Sequence, residues 1–288
     1  MAIWGTTWAA IRVSLEGIPP FWGVSLRFGI AGALLLVLCR LRGVALGRSR
    51  RERWLWVANG LLSFCVSYGI VYWAEQRIPS GLASVLFATF PLWVAILAHF
   101  LLPGERMRGR STAGTLLAFA GVAVIFSEDL SAVAGPGAVA ASLVMLVSPL
   151  ASAMGSVAVK RWGHGVHPFS LSAVPMLLTA AVMGAVAAPV EGWGAIRWTP
   201  PATLALLYLA ILGSAVTFSL YFWLLGHLDA SRLALIAYAI PVVAVVVGAV
   251  VFAEPLTTRI VVGSGLVVLG VALAVHRRAG RLPPGRAG

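Results

Sequence analysis

Runs of about twenty apolar residues, separated by short polar or Gly/Pro-containing segments, recur from one end of this chain to the other. A run of that length matches the apolar thickness of a bilayer and reads as a spanning helix. Ten spans follow, at about 2–16, 20–41, 53–75, 80–102, 111–127, 135–158, 168–190, 202–226, 230–252 and 258–276. The connections are mostly short, so neighbouring spans pack antiparallel. The first span is the shortest. About fifteen residues precede Glu16-Gly17, with Arg12 among them, so it is either a stub or the tail of a helix that starts upstream. The opening MAIWGTTWAAIRVSLEG has no basic segment ahead of its apolar run and no clear cleavage site, so it is not a secretory signal.

Composition fits the pattern. Of 288 residues, 60% are hydrophobic and 10% charged, with mean hydropathy +0.96. Soluble domains carry about 25% charged residues, so the class is an all-α, multi-pass membrane protein. The net charge of +12 does not mean nucleic acid as a partner, because the basic residues collect between spans and no basic, aromatic-bearing water-soluble face exists. With the N-terminus inside, the cytoplasmic segments hold sixteen Lys and Arg, and the outer loops only Arg77, Arg197 and Arg259. That asymmetry sets an N-in/C-in topology. Trp22, Trp54, Trp56, Trp162, Trp193 and Trp198 fall at span ends, as an interfacial aromatic belt requires. Cys39 and Cys65 lie inside spans and read as small hydrophobes.

The chain also repeats itself. Ser67, Trp73 and Pro91 recur 150 residues later as Thr217, Trp223 and Pro241. Glu105, Gly114 and Gly121 recur after 149 as Glu254, Gly263 and Gly270, and Gly5-Thr6 is matched by Gly155-Ser156. Five spans per copy is an odd number, so the second copy enters the membrane upside down. Inverted repeats of this kind build secondary transporters, whose two halves exchange conformations around a midplane site. The copies are residues 1–134 and 135–278, with 279–288 as a cytoplasmic tail.

In this pattern the chain resembles the drug/metabolite transporter superfamily, in particular the EamA-type ten-helix exporters. The resemblance covers nearly the whole length. It is carried by Trp4-Gly5, Arg27, Tyr72-Trp73-Ala74, Ile78-Pro79-Ser80-Gly81-Leu82-Ala83, Pro91-Leu92, Gly104-Glu105, Leu228, Ala230, Pro241 and Glu254. The chain departs from the family in its short first helix, in Pro103, and in Ala253 ahead of Glu254. The resemblance implies an inner-membrane permease that exports amino acids or related metabolites by alternating access, with drug-like cations as the alternative cargo. It also implies a structural role for Glu105 and Glu254, anchoring each loop to the next helix.

No enzyme constellation accompanies this frame. His164 and His167 share a loop without a nearby acid, short of the four ligands a closed metal site needs. No phosphate loop, dinucleotide fingerprint or nucleophile elbow occurs. Neither a metal nor a cofactor is expected. A membrane-embedded enzyme acting on lipid or isoprenoid substrates is the different-class alternative, and it lacks the acid pair or metal cluster it would need. The expected partners are a small-molecule substrate and the bilayer; a homodimer is compatible with the chain but not established by it.

Intramembrane ionisable groups are functional candidates by default. Arg12, Arg27 and His99 qualify, whereas the nine carboxylates fall at span ends or in loops. Arg27 reads as facing an outward vestibule to attract a carboxylate, as snorkelling to the outer surface, or as bonding a neighbouring helix's carbonyls. Stripes at helical spacing mark faces turned from lipid: Asn59, Ser63 and Ser67; Ser148, Ser152 and Ser156; Ser214, Thr217 and Tyr221. They serve close helix packing or line a cavity. The cavity candidates are Trp4, Thr7, Trp8, Arg27, Ser67, Tyr68, Tyr72, Phe87, Ser148, Ser152, Thr217, Tyr221 and Tyr238. Pro91 and Pro241 each remove a helix hydrogen bond and are candidate gating kinks.

Overall fold

The structure, a computed structural model, describes residues 2–107, 109–125, 127, 136–240 and 257–275. Helical segments stand at all ten predicted spans. They are α1 (Ala2–Leu15), α2 (Pro20–Leu41), α3 (Arg50–Ala74), α4 (Ser80–Phe87 and Phe90–Leu101), α5 (Gly109–Ile125), α6 (Pro136–Met145 and Val147–Trp162), α7 (Pro168–Glu191), α8 (Pro200–His227), α9 (Ala230–Ile240) and α10 (Thr258–Val275). Pro241 and Glu254 lie outside the described residues. Proline opens α2, α7 and α8, where its missing N–H costs nothing. Ser49 caps α3 by accepting from the Glu52 N–H at 3.1 Å. Gly192, at φ 78°, turns the chain out of α7 in a conformation that favours glycine.

The ten helices form two five-helix halves of opposite orientation, and two antiparallel pairs show how the halves meet. At the first, the Glu191 carboxylate at the end of α7 accepts from the Phe21 and Trp22 N–H groups that open α2, at 2.8 and 3.0 Å. A carboxylate there also faces the positive end of the helix dipole. Further along, Ser25 Oγ donates to the Ala180 carbonyl at 2.8 Å, and Gly32 lies against Ala173 and Leu177. At the second pair, α5 and α10, Gly114 faces Gly270 and Ala274, while Gly121 faces Gly263 and Val267. Gly263 is the repeat partner of Gly114, and Gly270 that of Gly121. Exchanging the halves therefore maps one contact onto the other, as a two-fold axis between inverted copies demands.

Two further features obey the same relation. α3 widens to a π-helix over Gly60–Val66, and α8 does so over Ile211–Val216. A π turn displaces carbonyls from the regular ladder and leaves them open to other donors. Each widened turn receives a side chain from the opposite half. Thr179 Oγ1 of α7 donates to the Gly60 carbonyl at 2.9 Å. Arg27 Nη2 of α2 donates to the Gly213 carbonyl at 3.1 Å.

Proline creates another open carbonyl. Pro175, inside α7, has no N–H for the Leu171 carbonyl one turn back, and Asn59 Nδ2 of α3 donates to it at 2.9 Å in a fully buried contact. Asn59→Leu leaves that acceptor unsatisfied, which costs about 1–3 kcal/mol. We expect a lower thermal midpoint for the detergent-solubilised variant, and an unchanged midpoint would remove this contact from the stabilising set.

The cytoplasmic end gathers Arg40, Arg42, Arg48, Arg51, Lys160 and Arg161. Arg51 donates to the His164 carbonyl at 2.9 Å, so the His164–His167 loop packs on the start of α3. At this end Glu105 accepts from the Ala230 and Ser231 N–H groups at 2.9 and 3.0 Å and from Ser231 Oγ at 2.9 Å. The Glu105 contact is thus to α9 in the other half, rather than to the next helix. His99 Nδ1 accepts from the Met107 N–H at 3.2 Å and holds the same loop. Exposed Leu34, Phe100, Leu143, Leu204, Val262 and Leu269 belong to the outer faces, where lipid is the solvent. Trp54, Trp162, Trp193 and Trp198 are exposed near helix ends, as a belt requires. Trp22 is not a belt residue: it is buried, with Nε1 donating to the Gly192 carbonyl at 3.0 Å. Trp56 Nε1 likewise donates inward, to Ser170 Oγ at 2.9 Å.

Candidate functional site

A cavity runs between the halves, with about 960 Å³ of empty space, its mouth included. α1 contributes Trp4, Thr7, Trp8 and Ile11; α3 contributes Ser63, Tyr68 and Val71; α4 contributes Ser84, Phe87 and Phe90. Across from them stand Ser152 and Ser156 of α6, Phe218, Tyr221 and Phe222 of α8, and Leu233, Ala234, Ile236, Ala237 and Ile240 of α9. The walls are built from ring contacts. Trp4 packs on Phe218 and Tyr221 with centroids at 5.5 and 5.8 Å. Trp8 meets Phe87 at 5.8 Å, and Phe87 stacks on Phe90 at 5.9 Å. Among the described residues the lining contains no ionisable group beyond the tyrosine hydroxyls.

The polar groups of the lining divide in two. Tyr221 Oη donates to Ser156 Oγ at 3.1 Å, and Thr7 Oγ1 donates to the Trp4 carbonyl at 2.8 Å. Trp4 Nε1 and Ser63 Oγ are buried and have no hydrogen-bond partner in the protein. Burying such groups is costly unless something bonds them. They are a donor and a donor–acceptor on the wall of one cavity.

Of the candidates named from sequence, Trp4, Thr7, Trp8, Tyr68, Phe87, Ser152 and Tyr221 come together here. The others stand elsewhere. Ser67 and Ser148 form a fully buried seam between α3 and α6, their hydroxyls 2.8 Å apart, with Ser152 Oγ donating to Ser67 Oγ at 2.8 Å. That seam exists because Gly155 lets α6 approach the Ser63 side chain. Tyr238 packs instead with Val85, Ala88, Ala118, Val122 and Val267, between α4, α5 and α10. Tyr72 is fully buried behind the wall, against Gly23. Thr217 Oγ1 is buried without a partner, outside the lining.

Arg27 departs most from the vestibule reading. It is 1% exposed and absent from the lining. Its Nε donates to Ser214 Oγ at 2.7 Å and its Nη2 to the Gly213 carbonyl, and its guanidinium lies 4.7 Å from the Tyr68 ring centroid. It locks α2 to the π turn of α8, as the helix-bonding reading of this residue has it. Arg12, by contrast, is exposed, and its Nη1 donates to the Glu75 main-chain carbonyl at 2.6 Å.

Pro91 also needs correction. α4 is interrupted at Ala88–Thr89, and Pro91 sits in the first turn of the new segment rather than mid-helix. In that place its missing N–H is one of those that a helix start leaves unpaired, so the new segment loses no hydrogen bond of its own. The cavity passes this break, with Phe87, Ala88 and Phe90 all in its wall.

Phe218 and Phe222 were missed because the α8 stripe assumes an unbroken α-helical phase. The π turn ahead of Thr217 shifts that phase. Ser214 then points to α2, and Phe218, Tyr221 and Phe222 point to the cavity. The aromatic triplet at spacings of three and four was the signal available.

An inverted repeat of five-helix halves around a midline cavity defines the class of secondary carriers. The comparisons with known proteins agree. The profile of the EamA-like transporter family matches residues 1–127 and again 139–276, and the chain belongs to that family. The uncharacterized transporter YoaV of Bacillus subtilis (strain 168) is 26% identical over 93% of this chain and 91% of its own. The uncharacterized inner membrane transporter YedA of Escherichia coli (strain K12) is 31% identical over 94% and 86%. A probable terminal-alkyne amino-acid exporter of Streptantibioticus cattleyicolor is 31% identical over 96% and 91%. A solved crystal structure with 24% identity shares the fold, with a TM-score of 0.81 over 95% of this chain and 93% of its own. The protein is a multi-pass inner-membrane transporter of small molecules.

Proposed function

We propose that the chain is a carrier, not an enzyme, and that it exports small amphipathic metabolites of the amino-acid class. The observation that carries this is the pairing of an aromatic wall with the unpartnered Trp4 Nε1 and Ser63 Oγ. Apolar rings suit a hydrocarbon side chain, and an indole N–H with a hydroxyl suits a carboxylate or carbonyl oxygen. A lining without charged side chains disfavours multiply charged phosphates. The amino-acid exporter among the relatives supports the same class and the outward direction.

The test is counterflow in proteoliposomes with apolar amino acids, nucleobases and cationic drugs. Uptake of apolar amino acids above empty vesicles supports the reading, and uptake only of cationic drugs removes it. Trp4→Phe keeps the wall and deletes the N–H. We expect it to weaken apparent substrate affinity by about tenfold, the loss that follows from about 1–2 kcal/mol of hydrogen bonding. An unchanged apparent affinity would take Trp4 out of the recognition site.

A further inference from the structure

Glu75 sits just beyond the end of α3 and is 0% exposed. Neither carboxyl oxygen has a hydrogen-bond partner in the protein. Among the described residues no cation forms an ion pair with it. Three other carboxylates are engaged: Glu52 accepts from the Arg48 N–H and from Ser170 Oγ, Glu105 bonds α9, and Glu191 bonds α2. A carboxylate buried bare is too costly to persist as an ion, whereas a carboxylic acid is far cheaper to bury.

The surroundings of Glu75 are specific. On its own helix stand Tyr68 and Tyr72, and Val71, one turn below, is part of the cavity wall. α1 presents Arg12, whose guanidinium is already on the Glu75 main-chain carbonyl. α2 presents Arg27, whose Nε and Nη2 are engaged by Ser214 and Gly213 and whose Nη1 donates to Tyr72 Oη at 3.5 Å. Arg77, two residues on, donates to the Trp73 carbonyl and stacks on its ring at 4.1 Å. α6 also packs on this end of α3; its only ionisable groups, Lys160 and Arg161, lie at its cytoplasmic end, where Lys160 donates to the Leu225 and Leu228 carbonyls.

We infer that Glu75 is the proton-binding site of the transport cycle: it holds a proton in the state described here and exchanges it with the outer side as substrate moves through the cavity. The step is a proton transfer and nothing more. The Glu75 O–H bond breaks, water entering at the outer end takes the proton, and the carboxylate left behind gains the Arg12 guanidinium. That guanidinium is exposed and already bonded to the same residue's main chain, so it reaches the carboxylate by side-chain rotation alone. Return of a proton frees Arg12 and lets the carboxyl bury again. The ligand is thus H⁺, and its coupling to substrate rests on the carrier reading given above.

Two measurements on the full chain separate the proposals. Infrared spectroscopy of the purified protein at neutral pH should show the C=O stretch of a protonated carboxylic acid. Glu75→Gln should abolish it and Glu75→Asp should shift it. In proteoliposomes, Glu75→Gln should keep substrate counterflow but reduce accumulation driven by a pH gradient to the level of empty vesicles, whereas Glu75→Asp should keep both. Absence of the band from the wild-type protein overturns the proposal without need of a folded variant. So does a band unchanged in both variants, or gradient-driven accumulation by Glu75→Gln equal to wild type. If wild-type protein shows no counterflow with any substrate, the functional reading fails, and the band still decides whether Glu75 holds a proton.

Discussion

Gly121→Leu is expected to yield no correctly folded carrier. A Cβ at this position would stand 2.6 Å from the Gly263 carbonyl oxygen and 2.7 Å from the Val267 nitrogen. Both are backbone atoms of α10, so no side chain can rotate away. Overpacking an ordinary core costs about 1–3 kcal/mol because neighbouring side chains give way. Here the helices themselves must separate, which forfeits the whole α5–α10 contact against a total stability of about 5–15 kcal/mol. The two-fold relation makes the same forecast for Gly114→Leu, whose Cβ would meet the Ala274 nitrogen at 2.5 Å and the Gly270 oxygen at 2.6 Å. Gly137→Leu, with open space around it, is the control. Size-exclusion profiles in mild detergent check all three. A monodisperse Gly121→Leu peak with wild-type thermal stability would show that the interface is looser than the geometry demands.

Arg27→Leu should destabilise the protein and slow transport of every substrate alike, charged or neutral. The substitution strands the Gly213 carbonyl and Ser214 Oγ in a buried interface, and leaving such a group unsatisfied costs about 1–3 kcal/mol. A positioning role predicts a fall in thermal midpoint with a uniform loss of rate. A direct role in binding predicts a selective loss for carboxylates with little change in midpoint. Parallel melting curves and counterflow with one carboxylate-bearing and one neutral substrate distinguish the two. A carboxylate-selective loss at wild-type stability would return Arg27 to the substrate path.

The spans were legible because bilayer thickness leaves only one structure for a long apolar run, and the inversion was legible because five spans per copy is odd. About half of the cavity was legible, for reasons that can be named. α1 is a regular helix, so Trp4, Thr7 and Trp8 were placed by periodicity alone. In α8 the π turn moved the phase, so Thr217 was chosen over Phe218. In α6 one serine stripe serves two purposes: Ser148 joins the seam, and Ser156 reaches the cavity. Glu75 was hidden by its neighbours. Glu75-Gln76-Arg77 has the composition of a solvated turn, and only the fold folds its first residue inward while the next two stay exposed. Pro91 marks a break in the apolar run but not its extent: the interruption falls at Ala88–Thr89, and the proline opens the segment that follows.

The two π turns lead to a last point about energy. Thr179 fills one and Arg27 fills the other, a single neutral hydroxyl against a charged clamp of two nitrogens. A carrier made of two identical inverted halves would have mirror-image end states of equal free energy, populated equally in a symmetric bilayer. Unequal clamps are thus one structural source of a difference between the two end states, and interchanging the residues at positions 27 and 179 tests whether they set the side on which the empty carrier rests.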